Sequence, residues 1–138
     1  MPAILLAGCA TTPGYHASFS DSGHAAIVRT WSSGTFAFFT FTALEKVDGQ
    51  RVSIWSQEGL MIDPGQRVMS VAGTYVGAFG VRDTARVELT ATLKASHKYV
   101  IRASLNEKRM TLWIEDQDSH ELVSEKKTSG TVRWIQWL

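Results

Sequence analysis

The sequence predicts an all-β fold: an antiparallel β-sandwich of about 7–9 strands, in a single domain with little or no helix. Two observations predict this class. Apolar and polar residues alternate with a period of two, and clusters of Gly, Pro, Asp and Ser separate the runs. The best helix candidate, from Asp83 to Lys94, alternates in a way that fits a strand better.

The first strands are marked by aromatic and β-branched residues. In chain order, the run 24–31 is rich in residues that favour strands, and a dense aromatic block follows within 36–47. Asp48-Gly49 lies between this block and the run 51–55. Asp-Gly between two strand patterns is the strongest short hairpin signal, because both turn positions need positive φ.

The later strands begin at a proline-glycine turn. Pro64 fixes one backbone angle of this turn and Gly65 accepts a positive φ, so a strand from Arg67 to about Val76 should follow. Gly77, Gly80 and Asp83 mark the next loop. Further period-two strands are predicted over 85–93, 99–105, 110–114 and 131–137.

Composition and charge narrow the class of protein. The chain has 138 residues, with 14 Lys+Arg against 13 Asp+Glu, which is typical of one globular domain. The net charge of +1 argues against a strongly basic nucleic-acid binder. No apolar run approaches the roughly 20 residues that span a bilayer. The one cysteine excludes an intrachain disulfide.

That cysteine ends an apolar run. Leu6-Ala7-Gly8-Cys9 resembles the lipobox of bacterial lipoproteins, and small, turn-prone residues follow it. The resemblance implies that a lipid is attached to the Cys9 thiol, that the chain is cut before Cys9, and that the new amine is acylated. Ala10, where inner-membrane lipoproteins carry Asp, implies an outer-membrane protein that faces the periplasm or the cell surface. The alternative is a short apolar stub with a free cysteine.

The same resemblance divides the chain. Only eight residues precede the cysteine and none is Lys or Arg, whereas an export signal begins with a basic region. We therefore expect residues 1–8 to be a signal remnant, 9–23 the lipid anchor and a flexible tether, and 24–138 the β-sandwich domain. Within the tether, Tyr15 and Phe19 either remain free or pin part of it to the domain.

A second resemblance concerns the predicted strands and turns. The segments resemble the PEGA-like pattern of bacterial envelope β-domains, in which a strand ends in Val-Asp-Gly and a later Pro-Gly turn starts another. The resemblance implies an envelope β-sandwich and transfers no catalytic residue. It is carried by Val47-Asp48-Gly49, 62–68, Leu93-Lys94-Ala95, Tyr99-Val100-Ile101 and Trp113-Ile114-Glu115-Asp116.

Carboxylates form the densest polar cluster, Glu115, Asp116, Asp118 and Glu121. Such a cluster could bind calcium, or supply the acid and base of a glycoside hydrolase. A solvated loop between two strands is favoured, because the segment lacks the glycine and ligand spacing of a calcium loop. Adjacent strand residues also point to opposite faces, which weakens a pair of Glu115 and Asp116. The four histidines lie outside metal-ligand spacing and suit surface loops, and no metal or cofactor is predicted.

Five tryptophans are many for this length. They either form an aromatic core or line a face that stacks on sugars or peptides. The candidates for ligand or partner contact are Trp55, Trp113 and Trp137, and Trp113 should face outward because Leu112 and Ile114 occupy the opposite face.

The sequence thus predicts a non-catalytic cell-envelope lipoprotein whose β-sandwich binds a protein partner or supports the envelope. The membrane contact would be the lipid on Cys9. The alternative is a carbohydrate- or peptidoglycan-binding module that uses exposed tryptophans, and a hydrolase with a carboxylate site is third.

Overall fold

The fold is nearly all β, as predicted. A computed structural model of the chain describes Tyr15 and residues 26–35, 38–54 and 59–135. These residues form two β-sheets stacked as a sandwich that does not close into a barrel. Within them the single helical element is a 3₁₀ turn at Ala78–Gly80, which agrees with the expected lack of helix.

Eleven strands lie within the described residues, more than the expected 7–9, because several are only three or four residues long. In chain order they are β1 (Ala26–Arg29), β2 (Ser32–Gly34), β3 (Phe39–Val47), β4 (Gln50–Ile54), β5 (Leu60–Ile62), β6 (Gly65–Val76), β7 (Val81–Leu93), β8 (Lys98–Asn106), β9 (Arg109–Asp116), β10 (Lys127–Gly130) and β11 (Val132–Ile135).

One sheet has five of the described strands and the other has six. The first has the order β10-β9-β8-β1-β5. The second has the order β11-β7-β6-β3-β2, and β4 lies beside β2 along the outer edge of β3. Every described pair is antiparallel except β1 with β8, which run parallel. The antiparallel prediction therefore holds for the sandwich as a whole, with this one exception.

Among the described strands the chain changes sheets at five corners: between β1 and β2, β4 and β5, β5 and β6, β7 and β8, and β10 and β11. Between β1 and β2 it crosses at Thr30 and Trp31, and between β10 and β11 it crosses at Thr131. Thr42 bonds the first corner to both sheets: its Oγ1 accepts from the Trp31 N–H at 2.9 Å, and its hydroxyl donates to the Ile101 carbonyl at 2.9 Å. A buried hydroxyl satisfied in this way fixes how the sheets stack.

The turn chemistry read from the sequence is confirmed. Asp48 and Gly49 have φ of 49° and 81°, the two positive values that a tight hairpin turn requires. Gly65 has φ of 115° and opens β6, as the proline-glycine signal predicted. Asp83, by contrast, lies inside β7 rather than in a loop, since β7 begins at Val81.

The core fills the space between the sheets. On β7 the predicted apolar face is buried at Ala85, Leu89, Ala91 and Leu93, and half-buried at Val87. Gly73 of β6 faces Met110, Leu112 and Ala103 of the opposite sheet, which leave no room for a Cβ. The remaining buried apolar side chains are Ala26, Val28, Leu44, Val47, Ile62, Met69, Val71, Ala72, Tyr99, Val100, Ile101, Ala103, Met110, Leu112 and Ile114.

The sandwich has two ends, which we name by the direction of β6. The proximal end holds Gly65, the turns at 48–49 and 94–97, and the loop 117–121, since Gly65 pairs with Leu93. The distal end holds the β6–β7 hairpin tip at 77–80 and the β8–β9 turn. Tyr15 lies at the proximal end: its N–H donates to the Arg51 carbonyl at 2.8 Å, and its hydroxyl accepts from the Asp63 N–H at 2.9 Å. Tyr15 is thus pinned to the body, one of the two alternatives left open for the tether, and Phe19 lies outside the described residues.

Candidate functional site

The acidic cluster forms a loop at the proximal end of β9, as expected, but its first two carboxylates are not solvated. Glu115 and Asp116 are each only 8% exposed. The loop is closed by the Asp116 N–H, which donates to the Glu121 carbonyl at 2.8 Å, and by the His120 N–H, which donates to the Asp116 carbonyl at 2.9 Å. Buried carboxylates need partners, and each of the two has its own.

Asp116 is held by three hydrogen bonds. The Nδ1 of His97, on the turn between β7 and β8, lies 2.9 Å from Oδ2. The N–H groups of Asp118 and Ser119 donate to Oδ1 at 2.9 and 3.1 Å. His97 first, and then these backbone donors, lower the pKa of Asp116 to about 2, because each favours the charged carboxylate.

Glu115 points to the other face of the strand. Its Oε1 accepts from the Trp113 indole N–H at 2.9 Å, and its Oε2 lies 2.9 Å from Nδ1 of His120. Burial acts to raise the pKa of Glu115, but hydrogen bonds from His120 and Trp113, with the nearby charge of Arg102, lower it overall. The two carboxylates therefore bind different histidines on opposite faces, as the strand alternation indicated.

The Asp116 side of the loop borders a cavity of about 490 Å³, the size of a small-ligand site. The Tyr99 hydroxyl accepts from the Lys94 N–H at 2.8 Å, and its ring stacks on His97 with centroids 6.2 Å apart. Burial raises the pKa of Tyr99, so its hydroxyl stays neutral. The lining residues are Thr92, Lys94, His97, Tyr99, Asp116, Asp118, Ser119, Glu121, Leu122 and Val123.

Two tryptophans each have a cationic side chain over the ring: Trp113 on the outer face of the first sheet, and Trp31 at the corner after β1, where it packs against the core. Trp113 lies opposite Arg102 in the β8–β9 register and is half-buried, on the face away from Leu112 and Ile114. The Arg102 guanidinium carbon lies 4.9 Å from the centroid of the Trp31 ring, and Lys126 Nζ lies 4.5 Å from that of Trp113. We call Trp31, Arg102, Trp113 and Lys126 the tryptophan row.

Cys9, Trp55 and Trp137 lie outside the described residues, so their predicted roles stay predictions. Trp134 lies on β11 opposite Arg82 of β7, in the second sheet.

Sequence reasoning missed two charged contacts that join distant parts of the chain: Arg133 with Asp83, and His97 with Asp116. Arg133 of β11 donates from Nε and Nη2 to the two oxygens of Asp83, at 2.9 and 3.0 Å, and this lowers the pKa of Asp83. The partners are 50 residues apart in the chain, and His97 and Asp116 are 19 apart. No local pattern signals such pairs, because they depend on strand register.

The comparisons with known proteins add no family. No protein-family model, curated protein or solved structure matches the chain. Within the described ranges, no three His, Cys, Asp or Glu side chains group to hold a metal ion. The same residues include no helix that has the length and apolar character to cross a membrane.

The His97–Asp116 contact predicts a loss of stability in acid. Because the folded pKa of Asp116 is about 2, below its usual 3.8, the contribution is complete above pH 3.8 and is lost as the pH falls toward 2. We expect about 1–2 kcal/mol, with allowance for solvent screening beside the open cavity. Urea unfolding at pH 4, 3 and 2 measures it.

Asp116→Asn should remove this part of the pH dependence, and Asp118→Asn, at an exposed position, is the control. Equal slopes for Asp116→Asn and the unchanged protein would contradict the assignment.

Proposed function

We propose that this chain is a non-catalytic cell-envelope lipoprotein, in which a lipid on Cys9 tethers the β-sandwich to the outer membrane, facing the periplasm or the cell surface. The domain would bind a protein partner or support the envelope. One contact supports the geometry of the tether. Tyr15, six residues after Cys9, is bonded to Arg51 and Asp63 at the proximal end.

This contact limits how far the body could lie from its anchor. Six residues of extended chain reach about 20 Å, so a lipid on Cys9 would hold the proximal end next to the membrane. At least two acyl chains are needed for stable attachment, and the resemblance to the lipobox implies them. The orientation that results is proximal end toward the membrane and distal end away from it.

The carboxylates support a non-catalytic function. Glu115 and Asp116 each bind a histidine on opposite sides of β9, so they do not face one bond of a substrate. Both are held in the ionised form by these contacts, whereas a glycosidase acid needs a raised pKa. Their geometry supports a role in fixing the loop 117–121.

The test of the tether is Cys9→Ser in the full gene product, made in its own cells. We expect mass spectrometry to find the unchanged protein cleaved and acylated at Cys9, in the membrane fraction. The variant should be unacylated and released by washing. Thr12→Ser, outside the tetrad, is the matched control and should remain acylated. An uncleaved, unmodified Cys9 in the unchanged protein would refute the anchor.

The tryptophan row supports a second candidate, a carbohydrate- or peptidoglycan-binding module. Indole rings stack on the apolar faces of sugars, and Arg102 and Lys126 are able to donate to hydroxyl or carboxylate groups. Soluble peptidoglycan fragments should then shift the tryptophan fluorescence, and Trp113→Ala should weaken the shift at least tenfold. Trp113→Phe, which keeps an aromatic ring, should retain most of it. No shift with any fragment would refute this candidate.

A further inference from the structure

The most exposed large apolar side chain described is Phe79, at the tip of the β6–β7 hairpin. It is 92% exposed, and its φ of 59° places a bulky residue in the left-handed region that favours glycine. Gly77 and Gly80 flank it on either side. Such backbone strain at an exposed aromatic residue suggests a function, because neither burial nor local geometry favours it.

Other exposed apolar side chains lie at the same end. Val132 is 71% exposed at the start of β11, and Phe38, directly before β3, is 50% exposed. Phe38 lies at the distal end of β6, because the next residue, Phe39, pairs with Val76. Val132 lies near the distal end of β7, because it pairs with Thr84. Of the five large apolar side chains exposed among the described residues, three thus belong to the distal end.

The distal end is also basic. Of the described residues, two acidic ones lie there, Glu107 and Asp83, and Asp83 is buried and already bonded to Arg133. Four cationic residues lie there: Arg82, Lys108, Arg109 and Arg133. For the part of the chain that the structure describes, four positive and two negative charges leave an excess of two positive charges around the exposed apolar group. The net charge of the whole chain is +1.

We propose that the distal end is a docking surface for a protein partner that presents an apolar pocket rimmed by carboxylates, with Phe79 as the anchor. An exposed aromatic side chain is a common hot spot, and complementary charge around it sets the encounter rate and the orientation. A second copy of this chain would bring two basic ends together, which like-charge repulsion disfavours.

The choice of a protein over a membrane rests on the proposed function. The twelve residues of β6 separate the proximal and distal ends by roughly 35–40 Å. If the lipid on Cys9 holds the proximal end at the membrane, Phe79 points away from that membrane and toward soluble or envelope-bound proteins. The proposal therefore names the partner surface that the tethered domain presents.

The test places a photo-crosslinking benzoylphenylalanine at position 79 of the full chain, in its own cells. Position 68 is the matched control, because Val68 is also an exposed apolar residue of this hairpin but lies toward the proximal end. We expect an adduct from position 79 and none from position 68. Mass spectrometry should identify one protein, with the crosslinked peptide next to Asp or Glu residues.

The identified protein is then purified and its affinity measured. Phe79→Ser should weaken binding tenfold or more, as expected for a hot spot, while Val68→Ser changes it less than twofold. Lys108→Glu with Arg109→Glu should slow association and reduce its salt dependence. Thermal unfolding of each variant checks that the fold is kept, since Phe79, Lys108 and Arg109 are all exposed.

Several results would overturn the proposal: an adduct with phospholipid, an adduct with a second copy, equal yields at positions 79 and 68, or no adduct. Acylation of Cys9 is read separately in the same cells. An acylated chain without an adduct refutes the docking surface alone. An unacylated chain that still gives the adduct refutes the tether and leaves the docking surface standing.

Discussion

Replacing Gly73 by valine is expected to lower the free energy of unfolding by about 3 kcal/mol or more, at the upper end of the usual cost of overpacking. A Cβ at this position would overlap Met110 Sδ and lie 3.1 Å from Cδ2 of Leu112. Both neighbours are fully buried, so the added methyl groups would have to push the two sheets apart. Denaturant unfolding with circular dichroism measures the loss.

A matched glycine separates overpacking from the loss of glycine itself. Gly130→Val, on the exposed edge strand β10, meets no atom within 4 Å and should change stability by less than about 0.5 kcal/mol.

A double variant tests the cause. Gly73→Ala with Met110→Ala should be less destabilised than the sum of the single changes, because the shortened side chain vacates the space that the new Cβ needs. Strict additivity would show that the contact with Met110 is not what requires glycine at position 73.

Those features of the fold that depend on local chemistry could be predicted from the sequence. The alternation along β7 follows from the pleat of a strand, and the Asp48-Gly49 turn follows from the two positive φ angles that it demands. Each signal lies within about ten residues, so no knowledge of the partner strand is needed. The class, the long strands and the main hairpins are of this kind.

The corners and the parallel pair could not be predicted in this way. The change of sheet at Thr30 and Trp31 depends on Thr42, which is 11 residues from Trp31 and 59 from Ile101. β1 pairs with β8 in parallel only because the chain between them builds much of the second sheet. These contacts follow from the whole topology, which composition and alternation leave open.

In the candidate site, too, some features follow from the local sequence pattern and others depend on distant contacts. The outward direction of Trp113 follows from alternation, and so does the divergence of Glu115 and Asp116. The burial of both carboxylates does not, because it depends on His97 and His120 closing over them. The exposure of Phe79 was missed for a related reason. The glycines marked a loop, but a glycine-flanked loop does not indicate which of its side chains faces solvent.

Ile114→Ala is expected to lower the free energy of unfolding by about 2–5 kcal/mol, the usual range for a buried isoleucine. Ile114 has no exposed surface and lies opposite the equally buried Ile101 in the β8–β9 register. Because its carbonyl accepts from the Val123 N–H at 3.0 Å, a rearrangement of β9 would also disturb the segment after the acidic loop. Closing the cavity left by the shorter side chain is therefore costly.

Val132→Ala is the control, because Val132 is 71% exposed and its truncation should cost less than about 0.5 kcal/mol. Equal effects of Ile114→Ala and Val132→Ala would contradict the register of β9. A slip of one residue turns every side chain of a strand to the other face, which would turn Trp113 toward the core and expose Ile114. A large loss at Ile114 thus supports the register that places Trp113 on the outer face and Asp116 beside the cavity.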